Sequence, residues 1–500
     1  MSGPRGVVAA GHPVTAEAGA EILREGGNAV DAAVCAVLTS FVTESPLTGF
    51  GAGGFMLIHD PARAEPDRDV LVDFFVAAGG ADGAERGSEL VPIPVDFGDQ
   101  IQVFNVGAAS CGVPGTPAGI ERVAQTHASV GLGELVKPGM RIAREGVAVN
   151  RQQAFLFEIL APILTAEPEG EALYAPEGRV LREGETFRFP ELATALERFA
   201  AEGAEPFYTG EVGRKVAGWV RERGGTLGAG DLAAYEPIER EPVAARFRGA
   251  DVLTNPPPSS GGILLAHALA VLERLGETTG VEELVAATEA ANERRTAEFA
   301  EGLHDEAFVR AFLDEDQLGS TTHLAALDAN GMCASVTCSN GTGSGIIVPG
   351  TGVHVNNMLG EEDLNPGGFH RIPPGRRVSS MMAPTIALRD GAVVVGLGSA
   401  GSNRIRSAIL DTAVRVLEQR MDAGEAVRSP RIHFEAGTVQ AEPGVDEEGL
   451  RRLEERGLPV VRWSRQNLYF GGVQAVARDP ATGELSGGGD PRRGGAVAFA

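Results

Sequence analysis

Ser320-Thr321-Thr322-His323 lies two-thirds of the way along the 500-residue chain and opens a strand-like run. We read it as a self-cleavage point. The chain is expected to cut between Ser320 and Thr321, and the freed threonine to act as the catalyst. An internal threonine hydroxyl is a poor nucleophile, but an N-terminal one carries its own base, an α-amine with an ordinary pKa of about 7.7–8.0. Residues 314–320 carry charges, a glycine and a serine, the composition of an exposed, cleavable loop. These four letters alone suit an ordinary strand start equally well, so the surroundings must decide.

Downstream, residues 323–327 and 332–339 read as two strands joined by Asp328-Ala329-Asn330-Gly331, a strong hairpin signal. Period-two alternation puts Ser335, Thr337 and Ser339 on one face and Met332, Ala334, Val336 and Cys338 on the other. A polar row therefore projects from a strand paired with the one that starts at Thr321. His323 is expected to be structural, because an N-terminal threonine needs no histidine base. A second hairpin is predicted for 385–388 and 392–396 around Arg389-Asp390-Gly391, followed by a helix over about 404–420. Upstream, 15–25 reads as a helix ending at Gly26-Gly27, and Asn28 as the cap of a second. Further helices are expected within 119–201, at 207–223, 263–275 and 282–303, with a strand over 244–253. Strands, hairpins and flanking helices suggest layered α/β architecture.

Two G-x-G-x-x-G strings compete for attention. Gly49 to Gly54 precedes a strand, whereas a dinucleotide site needs the turn to open a helix. Gly396-Leu397-Gly398-Ser399-Ala400-Gly401 does lie between a strand and a helix, which keeps a nicotinamide or flavin enzyme open. Against it, the preceding strand is a hairpin partner and not the first strand of a parallel unit. The same geometry suits an oxyanion site, with Gly401 and Ser402 supplying backbone N–H groups at the helix start; an ordinary glycine turn fits equally. Asn356-Asn357 with Glu361 would suit an ammonium group, and Ser379-Ser380 a carboxylate or amide, although polar loops are also commonly just solvated.

Composition narrows the partners. A formal charge of −25 disfavours nucleic acid and anionic membrane surfaces. No basic start with an apolar run opens the chain, and no stretch reaches about 18 uninterrupted apolar residues, so a cytoplasmic location is expected. The four cysteines form no C-x-x-C pair, and neither H-E-x-x-H nor a P-loop occurs; no metal, nucleotide or other cofactor is expected.

Taken in order, the motifs resemble the γ-glutamyltranspeptidases of the N-terminal-nucleophile hydrolase superfamily. The resemblance runs through Gly26-Gly27-Asn28-Ala29-Val30-Asp31, Gly53-Gly54-Phe55-Met56, Val113-Pro114-Gly115-Thr116 and Asp231-Leu232-Ala233-Ala234-Tyr235. It continues through Pro256 to Gly262, Thr321-Thr322-His323, Val355-Asn356-Asn357-Met358, Ser379-Ser380-Met381, Gly398 to Gly401 and Gly489-Asp490-Pro491-Arg492. It implies an α+β, four-layer αββα sandwich in which a large subunit, 1–320, and a small subunit, 321–500, form one fold. It further implies that Thr321 forms an acyl-enzyme and passes the acyl group to water or an amine or peptide acceptor. Gly401 and Ser402 match the oxyanion amides, Thr337 and Ser339 lie near a supporting hydroxyl, and Asn340, Asn357, Glu361, Ser379 and Ser380 match substrate-binding positions. One departure bears on specificity: Phe75 stands where the family has the arginine that grips the α-carboxylate of a γ-glutamyl group. Arg376, Arg377 or Arg404 is a candidate replacement cation. The expected activity is thus a γ-glutamyltranspeptidase-like amidase or acyltransferase on a small-molecule amide. A divergent acylase or C–C hydrolase and a catalytically silent binding protein of the same fold are the alternatives.

Overall fold

The computed structural model describes residues 4–83, 87–96, 101–293, 322–365 and 368–500. Ser320, Thr321 and the end of the helix expected at 282–303 lie outside the described residues. Two antiparallel sheets face each other. The first has seven strands in the order Ala496–Phe499, Gly6–Ala10, Thr322–Asp328, Cys333–Ser339, Gly53–His59, Asp69–Phe74 and Ile238–Arg240. The second has six: Leu485–Gly489, Gly472–Arg478, Ala392–Ala400, Thr385–Arg389, Ala250–Thr254 and Val243–Phe247. Strands from either side of residue 321 share both sheets and pair directly, Gly6–Ala10 with Thr322–Asp328 and Ala250–Thr254 with Thr385–Arg389.

Alternation along each strand divides the buried side chains among three interfaces. Val8, Met56, Leu324 and Val336 pack outward on Val30, Val34 and Leu38 of the helix Ala29–Thr43. Val7, Leu57, Ala325 and Leu327 face inward, against Leu253, Ile386 and Val476 of the other sheet. The far face of that sheet, through Val252, Val395 and Ala475, meets Leu265 and Leu269 of Ser260–Leu275 and Ile409 and Ala413 of Arg404–Leu417. Helix, sheet, sheet, helix: this is the αββα sandwich. Each large aliphatic side chain sealed in these interfaces contributes about 1.5–3 kcal/mol.

Local chemistry explains the segments that read correctly. Asn28 accepts from the Asp31 amide at 2.9 Å while Asp31 accepts from the Asn28 amide at 2.8 Å, a capping box that fixes the helix start. Asp31 also accepts from the Ser129 and Val130 amides, both at 2.9 Å, so this motif ties a loop to the helix layer. Elsewhere the structure departs from expectation. Residues 244–253 form a hairpin and not one strand, because Arg248 and Gly249 adopt positive φ, 49° and 75°, and reverse the chain. The hairpin Val91–Asp96 with Ile101–Val106 and the C-terminal strands are additional. None of the described helices is long and apolar enough to cross a membrane.

Gly396 and Gly398 account for the nucleotide-like string. A Cβ on Gly396 would lie 2.5 Å from the Cys333 sulfur, and one on Gly398 2.5 Å from the His323 ring. These glycines let the second sheet close on the first, a packing requirement that a phosphate-binding turn does not impose.

Candidate active site

The polar row on Cys333–Ser339 divides its tasks. Ser335 Oγ donates to the Leu397 carbonyl at 3.1 Å and accepts from the Thr385 amide at 3.2 Å, stitching the sheets together. Thr337 is fully buried and shares a 2.9 Å hydrogen bond with Nδ1 of His323. Burial pushes the His323 pKa down to about 3, so the ring holds a proton only weakly and makes a poor base near pH 7. Only Ser339, the last residue of the strand, reaches a cleft.

Three polar segments meet in that cleft. Ser339, Gly341 and Thr342 come from the end of the strand and its turn, Glu361 from the following loop, and Gly401 and Ser402 from the start of the helix Arg404–Leu417. Glu361 Oε1 accepts from Nδ2 of Asn357 at 3.1 Å, and Asn357 Oδ1 accepts from the Thr342 amide at 3.0 Å. Asn357 therefore stands behind Glu361 and holds the carboxylate toward the turn. Asn340 is fully buried between Ser339 and Gly341. Its backbone donates to Leu47 at 2.7 Å and accepts from Asn357 at 3.0 Å, and neither side-chain polar atom has a partner. The opposite wall is apolar: Leu47, Phe104, Leu156, Ile159, Leu160 and Leu468.

The turn before the helix is sterically specified. Gly401 has φ 124°, and a Cβ there would lie 2.7 Å from the Gly471 Cα. Ser402 follows at φ 55°, the left-handed region that favours glycine, yet it is buried and carries a full side chain. The helix begins on these residues, Arg404 and Ile405 donating to the carbonyls of Gly401 and Ser402 at 3.1 and 3.0 Å. Because a backbone amide survives any substitution except proline, Ser402→Gly is expected to keep kcat within about threefold. It should raise stability by up to about 1 kcal/mol, relief of the left-handed strain being partly offset by the freer unfolded chain. Thermal unfolding and turnover measured on the same preparation check both.

Two arginines also border the cleft. Arg404 donates through Nε to the Tyr469 carbonyl at 2.9 Å and lies 4.6 Å from the centre of the Tyr469 ring. Arg493 was missed in the sequence because its neighbours carry the motif. Asp490 and Arg492 sit in a buried ion network with Glu442 and Arg431, the Arg431–Asp490 pair at 2.7 Å, and this network anchors the turn Pro491–Arg493. The motif is thus scaffolding, and the residue after it borders the cleft. Burial, then the neighbouring Arg404, pushes the Arg493 pKa down to about 10, leaving it a cation at neutral pH.

Several sequence-predicted residues fall elsewhere. Phe75 is a correction: its ring is fully buried between the sheets and stacks on Phe55 at 5.3 Å, away from the cleft lining. An all-carbon side chain gains more from that interface than from a wet pocket. Ser380 is buried, its hydroxyl accepting from the Met382 amide at 3.1 Å, and Ser379 Oγ lies 2.8 Å from Ser260 Oγ; both brace the Pro256–Gly262 turn and neither lines the cleft. Of the candidate cations, Arg377 is committed to Asp73 at 3.4 Å and to the Tyr235 ring at 4.3 Å, and Arg404 alone of the three reaches the cleft. Among the described residues no group of three or more His, Cys, Asp or Glu is placed to hold a metal ion.

This arrangement has known counterparts. The profile described as Gamma-glutamyltranspeptidase matches residues 15–316 and 286–500. "Acylase ACY 1 proenzyme" of Pseudomonas sp. (strain SE83) is 32% identical, covering 97% of this chain and 92% of the relative. "Glutathione hydrolase proenzyme" of Escherichia coli (strain K12) is 28% identical, covering 98% and 90%. The crystal structure of cephalosporin acylase from Bacillus halodurans superimposes with a TM-score of 0.83 at 24% identity, covering 100% of this chain and 96% of that one, a likeness of fold. With a matching profile along nearly its whole length, an αββα sandwich and a relative at 32% identity, the chain belongs to the γ-glutamyltranspeptidase family of enzymes.

Proposed function

We propose that the chain cuts itself before Thr321 and then acts as an amidase and acyltransferase on amides with a mainly apolar acyl group. The observation that carries this reading is the convergence of Ser339, Gly401, Ser402 and Glu361 on one cleft. Thr321 is one peptide bond from Thr322, whose strand partner Cys338 is the neighbour of Ser339. In the reaction, the Thr321 hydroxyl attacks the amide carbonyl and its own α-amine takes the proton. The N–H groups of Gly401 and Ser402 stabilise the oxyanion. Collapse breaks the C–N bond, the leaving amine takes up a proton, and an ester to Thr321 remains. Water or an acceptor amine then attacks that ester and frees the threonine. The Ser339 hydroxyl supports the nucleophile, and Glu361 with Asn357 holds a cationic or hydrogen-donating part of the substrate. Both sheets mix strands from 1–320 and 321–500, so the two pieces would stay together after cutting.

The acyl preference rests on the six apolar side chains that line the cleft. The Pseudomonas relative named as an acylase is in keeping with this. Denaturing electrophoresis with intact-mass measurement is expected to give two fragments, Met1–Ser320 and Thr321–Ala500. The processed enzyme should turn over a hexanoyl anilide with kcat/KM at least about tenfold above that for a γ-glutamyl anilide, the scale of one charged hydrogen-bond partner lost. A chain that stays whole after long incubation would overturn the nucleophile. A γ-glutamyl anilide turned over faster would overturn the acyl preference alone.

A further inference from the structure

Arg493 reaches the cleft over ground cleared for it. Gly472 is a strand residue without a left-handed φ, so its conformation does not call for glycine. A Cβ there would run into the Arg493 stem and lie 3.1 Å from Arg493 Nε. Gly472 pairs with Ala400, the residue before the Gly401–Ser402 turn. The stem therefore passes beside that turn, and Nη2 ends 3.5 Å from where a Gly401 Cβ would be. Among the described residues no carboxylate forms an ion pair with Arg493 and no acceptor takes a hydrogen bond from it. Two acids act on it from longer range. Asp490 is engaged by Arg431 and Arg492, and Glu44, which lines a neighbouring hollow together with Arg493, has its pKa raised to about 7 by burial. Arg404 adds a second cation. It is 6% exposed, borders the same cleft, and donates only to neutral oxygens, the Tyr469 carbonyl and, at 3.3 Å, Gln102 Oε1. Glu361, the acid of the cleft, is held by Asn357 beside Gly341 and pairs with neither arginine.

Two cations that border one cleft, close enough for Arg404 to lower the Arg493 pKa, repel each other, and an anion between them and the solvent would offset that cost. The place of the Arg493 head restricts which anion. It adjoins Gly401, whose N–H is the proposed holder of the carbonyl oxygen, so the anion must lie within a few bonds of the scissile carbonyl. The acyl half is met by carbon, from Leu47 and Phe104 to Leu468. A carboxylate on the carbon next to the scissile nitrogen satisfies both conditions. We propose that Arg493 binds a carboxylate on the amine half of the substrate, which makes the preferred class N-acyl α-amino acids with an apolar acyl chain. This rests on the cleft being the acyl-transfer site. The Nη groups, which unlike Nε are not sealed from solvent, donate to the two carboxylate oxygens. Arg404 keeps the surrounding field positive. A γ-glutamyl carboxylate, at the far end of the acyl half, would lie on the wrong side of the carbonyl.

The test is calorimetry on the purified wild-type protein with three sulfonamides that cannot be cleaved: N-hexylsulfonyl-alanine, its carboxamide, and that carboxamide with a carboxylate added at the far end of the hexyl chain. N-hexylsulfonyl-alanine should bind about thirtyfold tighter than its carboxamide, the scale of one charged hydrogen-bonded pair. Arg493→Met, which keeps a stem over Gly472, should reduce that preference to about threefold or less. Arg493→Lys should hold it near about tenfold, because the charge stays while the fork is lost. Equal affinities in wild type, a full preference that survives Arg493→Met, acid and carboxamide weakened alike by both substitutions, or tightest binding of the ligand with its carboxylate on the hexyl chain would each overturn the proposal. Since no bond is broken in this measurement, its failure is separable from a failure of Thr321 to process or acylate.

Discussion

Thr321→Ala is expected to leave a single uncut chain and to reduce amide turnover by about 10⁴-fold or more, the scale seen when a covalent nucleophile is removed. The two losses are coupled by chemistry. In the proposed mechanism the same hydroxyl attacks the peptide bond before it and, later, the substrate, and the base for the second step is an amine that exists only once the first has occurred. The nearby histidine is a poor substitute. His323, two residues on, is held neutral by burial, its pKa near 3, and is engaged with Thr337. Thr321→Ser should retain both steps at reduced rate, because the hydroxyl stays while the β-branch that stiffens χ1 is lost. The pH profile of kcat/KM should rise with an apparent pKa near the ordinary α-amine range of about 7.7–8.0, as the free amine is the active form. An alanine variant that still splits before residue 321 would place the processing chemistry elsewhere.

What could be read from the sequence divides along the range of the interactions. The Asn28 capping box, the turn at Asp328–Gly331 and the glycine turn at 401–402 are set by residues within a few positions of one another, and they formed where local chemistry placed them. Ser339 was separable from Thr337 only in space. Both lie on the same face of one strand, and what distinguishes them is that His323 claims Thr337 while Ser339 ends the strand at the cleft. Phe75 misled for a related reason. Its place in the motif pointed to the substrate, but an all-carbon ring has no polar head to keep in a wet cleft, and it packs between the sheets on Phe55. Glu44 and Arg493 left no periodic or motif signal. They lie some 450 positions apart, and only the sheet order, with Ala496–Phe499 pairing beside Gly6–Ala10, brings the two ends of the chain together.

Gly401→Ala tests the other half of the catalytic geometry. The added methyl would lie 2.7 Å from the Gly471 Cα and 3.5 Å from Nη2 of Arg493, on a residue whose φ of 124° is costly for any L side chain. Backbone cannot yield as a flexible side chain can, so the turn itself must move; a loss of about 2–5 kcal/mol in stability follows from strain and overpacking together. Where the variant still folds, the two amides no longer point at the carbonyl oxygen's position in the tetrahedral intermediate, and kcat should fall about 10²–10³-fold. Its KM should change far less, because the apolar lining and Glu361 belong to other segments than the turn. The contrast with Ser402→Gly sharpens the reading: one substitution adds a methyl at the turn and should be severe, the other removes a larger group one residue on and should be harmless. Equal kcat in Gly401→Ala and wild type would mean that the oxyanion is held by other groups, and that this turn serves only to start the helix.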